Sequence, residues 1–349
     1  MKNFKLWNAV CGWLVFAIAA ATYLLTMEPT ASFWDCGEFI VSANKFDVGH
    51  PPGAPFFMLI GRFATLFASD QAHVAMCVNA VSALASALTI LFLFWTITAL
   101  GRKLVKPASS LAPVEGLKMN PLTLTQGISI LGAGLVGSLA YTFSDTFWFS
   151  AVEAEVYAMS SLFTAVVFWA MLRWEEEADM PYANRWIVLI SFLMGLSIGI
   201  HLLNLLAIPA LVFMFYYKKR EDGHYSLSEY VKIFLVSVVI LAVVLFGIIP
   251  YLPKVAAYFD LFFVNTLGLP FNTGAAFFML LLLGLCFFGL FITMKRQQVF
   301  ANTVLLCFTT IVIGFSLFSI VIIRSSAKTP TNEYQPDNPF TLVRYLSRE

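Results

Sequence analysis

Charge is scarce in this chain: 12% of its 349 residues are Asp, Glu, Lys or Arg, and the formal net charge is +1. So near-neutral a balance leaves no electrostatic footprint for nucleic acid, and none is expected as a partner. Cysteine is sparse as well. Cys11, Cys36, Cys77, Cys286 and Cys307 form no CxxC pair and no Cys/His cluster. That argues against a disulfide framework and against a zinc site. All but Cys36 lie inside apolar runs, where a free thiol behaves as a small hydrophobe. Internal repeats and low-complexity tracts are also missing.

What the chain has in excess is apolar residues. They make up 60% of it, at a mean hydropathy of +0.82, against about 45–50% in an ordinary soluble domain. Apolar runs of roughly 18 or more residues recur, each long enough to cross a hydrocarbon core of about 30 Å as helix. The prediction is an all-α polytopic membrane protein with about nine spans, within a range of roughly eight to ten. They fall at 6–26, 72–100, 122–143, 157–173, 186–200, 202–217, 230–250, 273–294 and 302–323. The first is longer than the roughly 7–15 residues of a signal-peptide core, so a retained span is expected. The run 186–217 exceeds one crossing and falls short of two, which predicts two short, broken helices eased by Gly195, Gly199 and Pro209. Segment 54–68, interrupted by Arg62, reads as a helix lying at the membrane interface.

Lys and Arg set the orientation. With a cytoplasmic N-terminus, the inner loops take Lys2, Lys5, Arg102, Lys103, Lys106, Lys118, Arg173, Arg185, Lys218, Lys219, Arg220, Lys232, Lys295 and Arg296. The outer loops take only Lys45, Arg62 and Lys254, with further bases in the final segment. The cytoplasmic "GRKLVKPASSLAPVEGLKMNP" reads as a plain connector, and the acidic run in "RWEEEADMPYANR" as a solvated helix end. Residues 1–323 form the membrane module. The polar, Pro-rich 324–349 reads as an extracytoplasmic tail, the start of a further C-terminal region.

Several acids lie on the outer face. "FWDCGEFI" places Asp35 and Glu38 three apart, so that on a helix they face one way. An ionised carboxylate at mid-bilayer costs roughly 2.5–3.5 kcal/mol, so the pair belongs at the surface or in a polar cavity. Phe33, Trp34 and Phe39 suit an interface. "VGHPPGAPFF" follows, with His50 ahead of prolines that stiffen the chain. It reads either as a helix-breaking connector or as a rigid site loop in which His50 contacts a phosphate or hydroxyl. "AVEAEVYAM" holds Glu153, Glu155 and Tyr157. The two glutamates could bind a divalent cation if the segment is extended, bond to a sugar or acceptor, or only charge a helix N-terminus. Tyr157 is either a sugar contact or an interface tyrosine. His201 and Asn204 in "GIHLLNLL" either bond each other and the backbone of a broken helix or line a groove.

These stretches carry a resemblance. "FWDCGEFI", "GHPPGAPFF", "AVEAEVYAMSSLF", "GIHLLNLL" and "NEYQPDNPFTLVRYLSRE" resemble polyprenol-dependent glycosyltransferases of the GT-C class. The closer likeness is to a family of bacterial membrane proteins, common in Bacteroidetes and related to eukaryotic transmembrane protein O-mannosyltransferases. The resemblance implies a GT-C-like helical bundle in the bacterial inner membrane with a periplasmic active site and interfacial helices in the first outer loop. It also implies a hexose donor on polyprenyl phosphate, a Ser or Thr hydroxyl of a translocated protein as acceptor, inversion at the sugar, and an acidic base at the position of Asp35. Such chemistry needs a base for the hydroxyl proton, a group to meet the charge growing on the phosphate, and an apolar groove for the lipid. Arg324, Lys254, Arg62, His50 and His201 are candidates for the second role. Arg324 is preferred, because it ends the last span and Arg grips phosphate with two donors. No definite cofactor is called for, and a divalent cation at Glu153 and Glu155 is the one option. The alternative is a transporter or flippase of lipid-linked sugars. That reading expects mid-membrane ionisable groups and repeated halves.

Overall fold

Backbone N–H and C=O groups cannot stay unpaired in hydrocarbon, so a chain this apolar is driven to helix throughout. The computed structural model describes residues 1, 3–105, 122–220 and 226–349. Most of the expected connector at 101–121, with Lys106 and Lys118, lies outside the described residues, as does Lys2.

In chain order the helices are α1 (Phe4–Thr26), α2 (Cys36–Lys45), α3 (Pro55–Thr65), α4 (Val74–Leu104), α5 (Leu124–Thr142), α6 (Asp145–Ala151), α7 (Val156–Glu177) and α8 (Arg185–Ile198). There follow α9 (Ile208–Lys219), α10 (Leu227–Ala242), α11 (Ile249–Asn265), α12 (Thr273–Lys295), α13 (Val299–Phe315), α14 (Ser319–Ser326) and α15 (Pro339–Ser347). Among the described residues, 8 helical stretches are long and apolar enough to cross a membrane. The fold is all-α and polytopic, and the extended pairing seen among the described residues is one isolated bridge between Val48 and Asn332.

The expected break inside 186–217 is present. Helix α8 stops at Ile198, capped by Gly199, and a 3₁₀ stretch over Leu202–Ala207 leads into α9. At 14 residues α8 is about 21 Å long, short of a full crossing. Two of the residues expected to ease the break do other work. Gly195 lies within α8, where a Cβ would collide with the backbone at Ile311, so its lack of a side chain lets α8 and α13 touch. Pro209 sits in the first turn of α9, where its missing N–H costs nothing.

The span expected to end at 250 does not end there. Leu227–Asn265 is one helical stretch of 39 residues, about 58 Å long. Its middle, Val243–Ile248, is π-helical and runs directly into Pro250. A proline ring clashes with the carbonyl one turn earlier, and the wider π turn accommodates it without breaking the helix. Lys254, expected in an outer loop, therefore lies on a helix.

Helix α4 is the axis of the first half, packing on α1, α5, α7, α3 and α2. The short helices α2 and α3 form a hairpin against its N-terminal end. Residues 324–349 fold back onto this hairpin: Val321, Leu342 and Tyr345 share a buried cluster with Val48 of the first long loop.

Candidate functional site

The site grows from the loop after α1. Asn79, fully buried on α4, donates to Glu28 O at 2.6 Å and to Thr30 O at 3.0 Å, and Glu28 N donates to Val152 O at 2.9 Å. These bonds hold the loops preceding α2 and α7 side by side. Trp34 then turns the chain with φ 58, and α2 begins.

Asp35 is the residue capping α2, yet its side chain accepts no capping bond. The carboxylate is 58% exposed. Glu38, one turn on, is engaged. Its Oε1 accepts from His50 N at 2.7 Å, and its two oxygens lie 3.1 and 3.0 Å from His50 Nδ1. Gly49 is what admits Glu38 so close, since a Cβ there would collide with Oε1. The other ring nitrogen, Nε2, faces Asp35 Oδ2 at 3.9 Å. Asp35 and Glu38, expected as a pair facing one way, and His50, expected as a loop contact, are thus brought together. One ligand atom from each lies within 4.8 Å of the others, so among the described residues this trio is the group able to approach a cation. Within it only Glu38 and His50 are hydrogen-bonded, while Asp35 lies 3.9 Å from the second ring nitrogen, beyond hydrogen-bond distance.

Glu153 and Glu155 lie just before α7, 4% and 6% exposed. Glu155 is extended, with φ −130 and ψ 149, and its backbone is held by Ser82 of α4. No side-chain hydrogen-bond donor meets either carboxylate among the described residues, and neither belongs to the cation-capable trio. Burial, and then the negative charges of Asp35 and Glu153, push the Glu155 carboxyl up to about 7.

Tyr157, in the first turn of α7, is about half exposed and has its ring 5.3 Å from that of His201. His201 Nδ1 accepts from Leu203 N at 3.1 Å, capping the 3₁₀ stretch. Burial, with Arg348 nearby, holds its pKa below the ordinary value. Asn204, three residues on, bonds not to His201 but to the Met194 sulfur at 3.4 Å. Lys254 stands apart on α11 with its ammonium over the Tyr251 ring. Arg324, preferred for the phosphate, donates Nε to Phe46 O at 2.7 Å and an η nitrogen to Lys45 O at 3.1 Å. It therefore meets the carbonyls at the C-terminal end of α2. Arg62 likewise donates to the Asn44 carbonyl.

Three positions escaped the sequence reading. Asn79 carried a signal, a polar amide inside an apolar span. Ser82, one helical turn away, was masked by the small residues around it. Tyr345 carried none: it is fully buried and donates to Gly49 O at 2.6 Å, from far along the chain.

A groove of about 670 Å³ opens between α4, α5, α7 and the 3₁₀ stretch, lined by Leu93, Ile97, Tyr141, Phe168, Leu203 and Leu206 among others. Leu203 stands two residues from His201 in sequence, and neither His201 nor Tyr157 lines the groove itself.

Residues 35–224 match the family model described as the protein O-mannosyl-transferase TMEM260 N-terminal domain. The chain is 25% identical over 232 residues to the protein O-mannosyl-transferase tmem260 of Dictyostelium discoideum, covering 63% of this chain and 25% of that protein. It is 28% identical over 185 residues to the protein O-mannosyl-transferase TMEM260 of Mus musculus, covering 53% of this chain and 22% of that one. It spans about a quarter of the length of these relatives. No solved structure matches it. The family match begins at Asp35 itself and takes in Glu38, His50, Glu153, Glu155, Tyr157 and His201 across more than half of the chain: the chain belongs to the TMEM260 N-terminal domain family of protein O-mannosyl-transferases.

Proposed function

We propose that this protein is a membrane glycosyltransferase that moves a hexose, mannose by the names of its relatives, from a polyprenyl-phosphate carrier to Ser or Thr hydroxyls of proteins. The observation that carries the reading is the state of Asp35. Its carboxylate caps no helix, makes no ion pair with Lys or Arg among the described residues, and stands open beside His50. That is what a base awaiting a hydroxyl requires.

The reaction is a single displacement. The acceptor oxygen attacks the anomeric carbon while Asp35 takes its proton, and the carbon–phosphate oxygen bond breaks with its electron pair on the phosphate. One displacement inverts the anomeric centre. The apolar groove beside Leu203 and Leu206 suits an isoprenoid chain. Glu153 and Glu155 are placed to accept hydrogen bonds from sugar hydroxyls. The site faces the periplasm of a bacterial inner membrane, with the N-terminus cytoplasmic, as the Lys and Arg distribution favours.

Purified protein in bilayer nanodiscs, given polyprenyl-phosphate mannose and a Ser/Thr peptide, should add one hexose, read by mass spectrometry. A peptide that stays unmodified, with a donor hydrolysed or untouched, refutes the assignment.

A further inference from the structure

A carboxylate only accepts hydrogen bonds. Glu38 sits at 3.0–3.1 Å from His50 Nδ1, so the imidazole proton must lie on Nδ1. In a neutral ring the other nitrogen then presents a lone pair. That nitrogen, Nε2, is turned to Asp35 Oδ2 at 3.9 Å, with the His50 side chain 37% exposed. The ring is not free to trade these roles. Its backbone N is tied to Glu38, its carbonyl accepts from Gly53 N at 2.8 Å and from the Tyr345 hydroxyl at 3.3 Å, and its face lies 5.8 Å from Phe39. Four residues, Glu38, Phe39, Gly53 and Tyr345, hold His50 so that its second ring nitrogen faces, at 3.9 Å, the carboxylate of the trio that makes no hydrogen bond.

We propose that His50 is the second proton carrier of the transfer reaction and that Glu38 is its positioning residue. The inference rests on the reading of Asp35 as the base. In the transfer step the acceptor O–H breaks and its proton goes to Asp35, as the new carbon–oxygen bond forms and the phosphate departs. The Asp35 carboxylic acid then gives that proton to the lone pair on His50 Nε2. The resulting imidazolium lies between two carboxylates, Glu38 and the regenerated Asp35, before it releases the proton to water. No redox partner is needed, and the carboxylate is reset for the next acceptor. A closure of under 1 Å from 3.9 Å, or one bridging water, brings the pair to hydrogen-bond distance.

The test has two arms. The protein has four histidines, so nitrogen NMR of ¹⁵N-histidine-labelled protein resolves few signals. His50 should give a neutral ring protonated on Nδ1, the less common tautomer of free histidine. This signal disappears in His50→Gln, and its tautomer preference is lost in Glu38→Gln, whose amide can donate as well as accept. In the kinetic arm, His50→Gln should lower kcat about tenfold or more with the KM for donor unchanged, and added imidazole should restore part of it. A His50 ring protonated on Nε2 overturns the relay. So does a His50→Gln enzyme with wild-type kcat, or one whose loss appears in KM and does not respond to imidazole. Wild-type protein that transfers no sugar overturns the functional reading of the previous subsection instead, whatever tautomer the NMR reads.

Discussion

Helix α7 has acids at both ends, and the fold treats them in opposite ways. At its C-terminal end Glu177 accepts from Arg173 at 2.8 Å, Arg185 at 2.7 Å and the Trp186 indole at 2.9 Å. Glu175 pairs with Lys103, Glu176 with Arg173, and Asp179 with Lys218 at 2.9 Å. At the N-terminal end Asp35, Glu38, Glu153 and Glu155 gather, and among the described residues none makes an ion pair with Lys or Arg; His50 is the partner present. The titrations diverge accordingly. Lys218 holds Asp179 below the usual carboxylate range, whereas burial and like charge push Glu155 up to about 7. The run read from sequence as a solvated helix end also carries a matched ion-pair network. The acids without a Lys or Arg partner are the ones the proposed function assigns to base and substrate contact.

The sharpest way to break this contrast is to neutralise one acid at each end. Asp35→Asn should reduce sugar transfer by at least about 10²-fold, the scale of losing a general base, with thermal stability unchanged. Glu177→Gln should do the reverse, leaving turnover near wild type while lowering the melting temperature, because three donors lose their charged acceptor. Transfer assays and thermal unfolding of both variants decide it. Equal activity losses would mean that the two ends are not functionally distinct.

A second effect concerns pH. Below about 4.5, the ordinary glutamate value, Glu155 is protonated in both the folded and the unfolded chain and its burial costs little. As pH rises toward 7 the unfolded chain gives up the proton first, so stability falls across this window and levels off above it. The whole effect is on the order of 3 kcal/mol. Glu155→Gln should therefore raise the melting temperature more at pH 8 than at pH 5. Asp179→Asn should behave with the opposite sign, its cost present at high pH and fading as pH falls. A Glu155→Gln shift that is the same at both pH values would mean that the buried acid stays neutral throughout.

Much of the fold was legible because hydropathy reports helices directly. Asp35, Glu38 and His50 stood out because charge is rare in this chain and because all three lie within one loop. What stayed hidden required knowing where distant segments meet. Arg324 ends a span and looks available for a phosphate, yet the carbonyls at Lys45 and Phe46 take its donors, and nothing in its neighbours announces that. The span 230–250 was expected to stop at Pro250; the π segment that carries the helix past it has no compositional mark. The ion-pair network at the C-terminal end of α7 was invisible for the same reason, since Lys103 and Lys218 reach it from α4 and α9.

The smallest expected effect tests whether the unmatched end is held in place from far along the chain. Tyr345 is fully buried and its hydroxyl donates to Gly49 O at 2.6 Å. It belongs to α15, beyond the residues 35–224 matched by the family model. Tyr345→Phe keeps the ring and its packing but leaves that buried carbonyl without its donor, a cost of about 1–3 kcal/mol. The cost should fall on the loop and not on the whole fold, because α2 and α3 keep their contacts with α4. Hydrogen exchange at residues 47–53 should therefore accelerate while the rest of α2 and α4 stays protected. Turnover should fall several-fold, much less than for Asp35→Asn, since the His50 ring keeps both of its bonds to Glu38. Exchange that speeds up evenly over the molecule would make Tyr345 a general core residue, and the tail would then have no particular hold on the site.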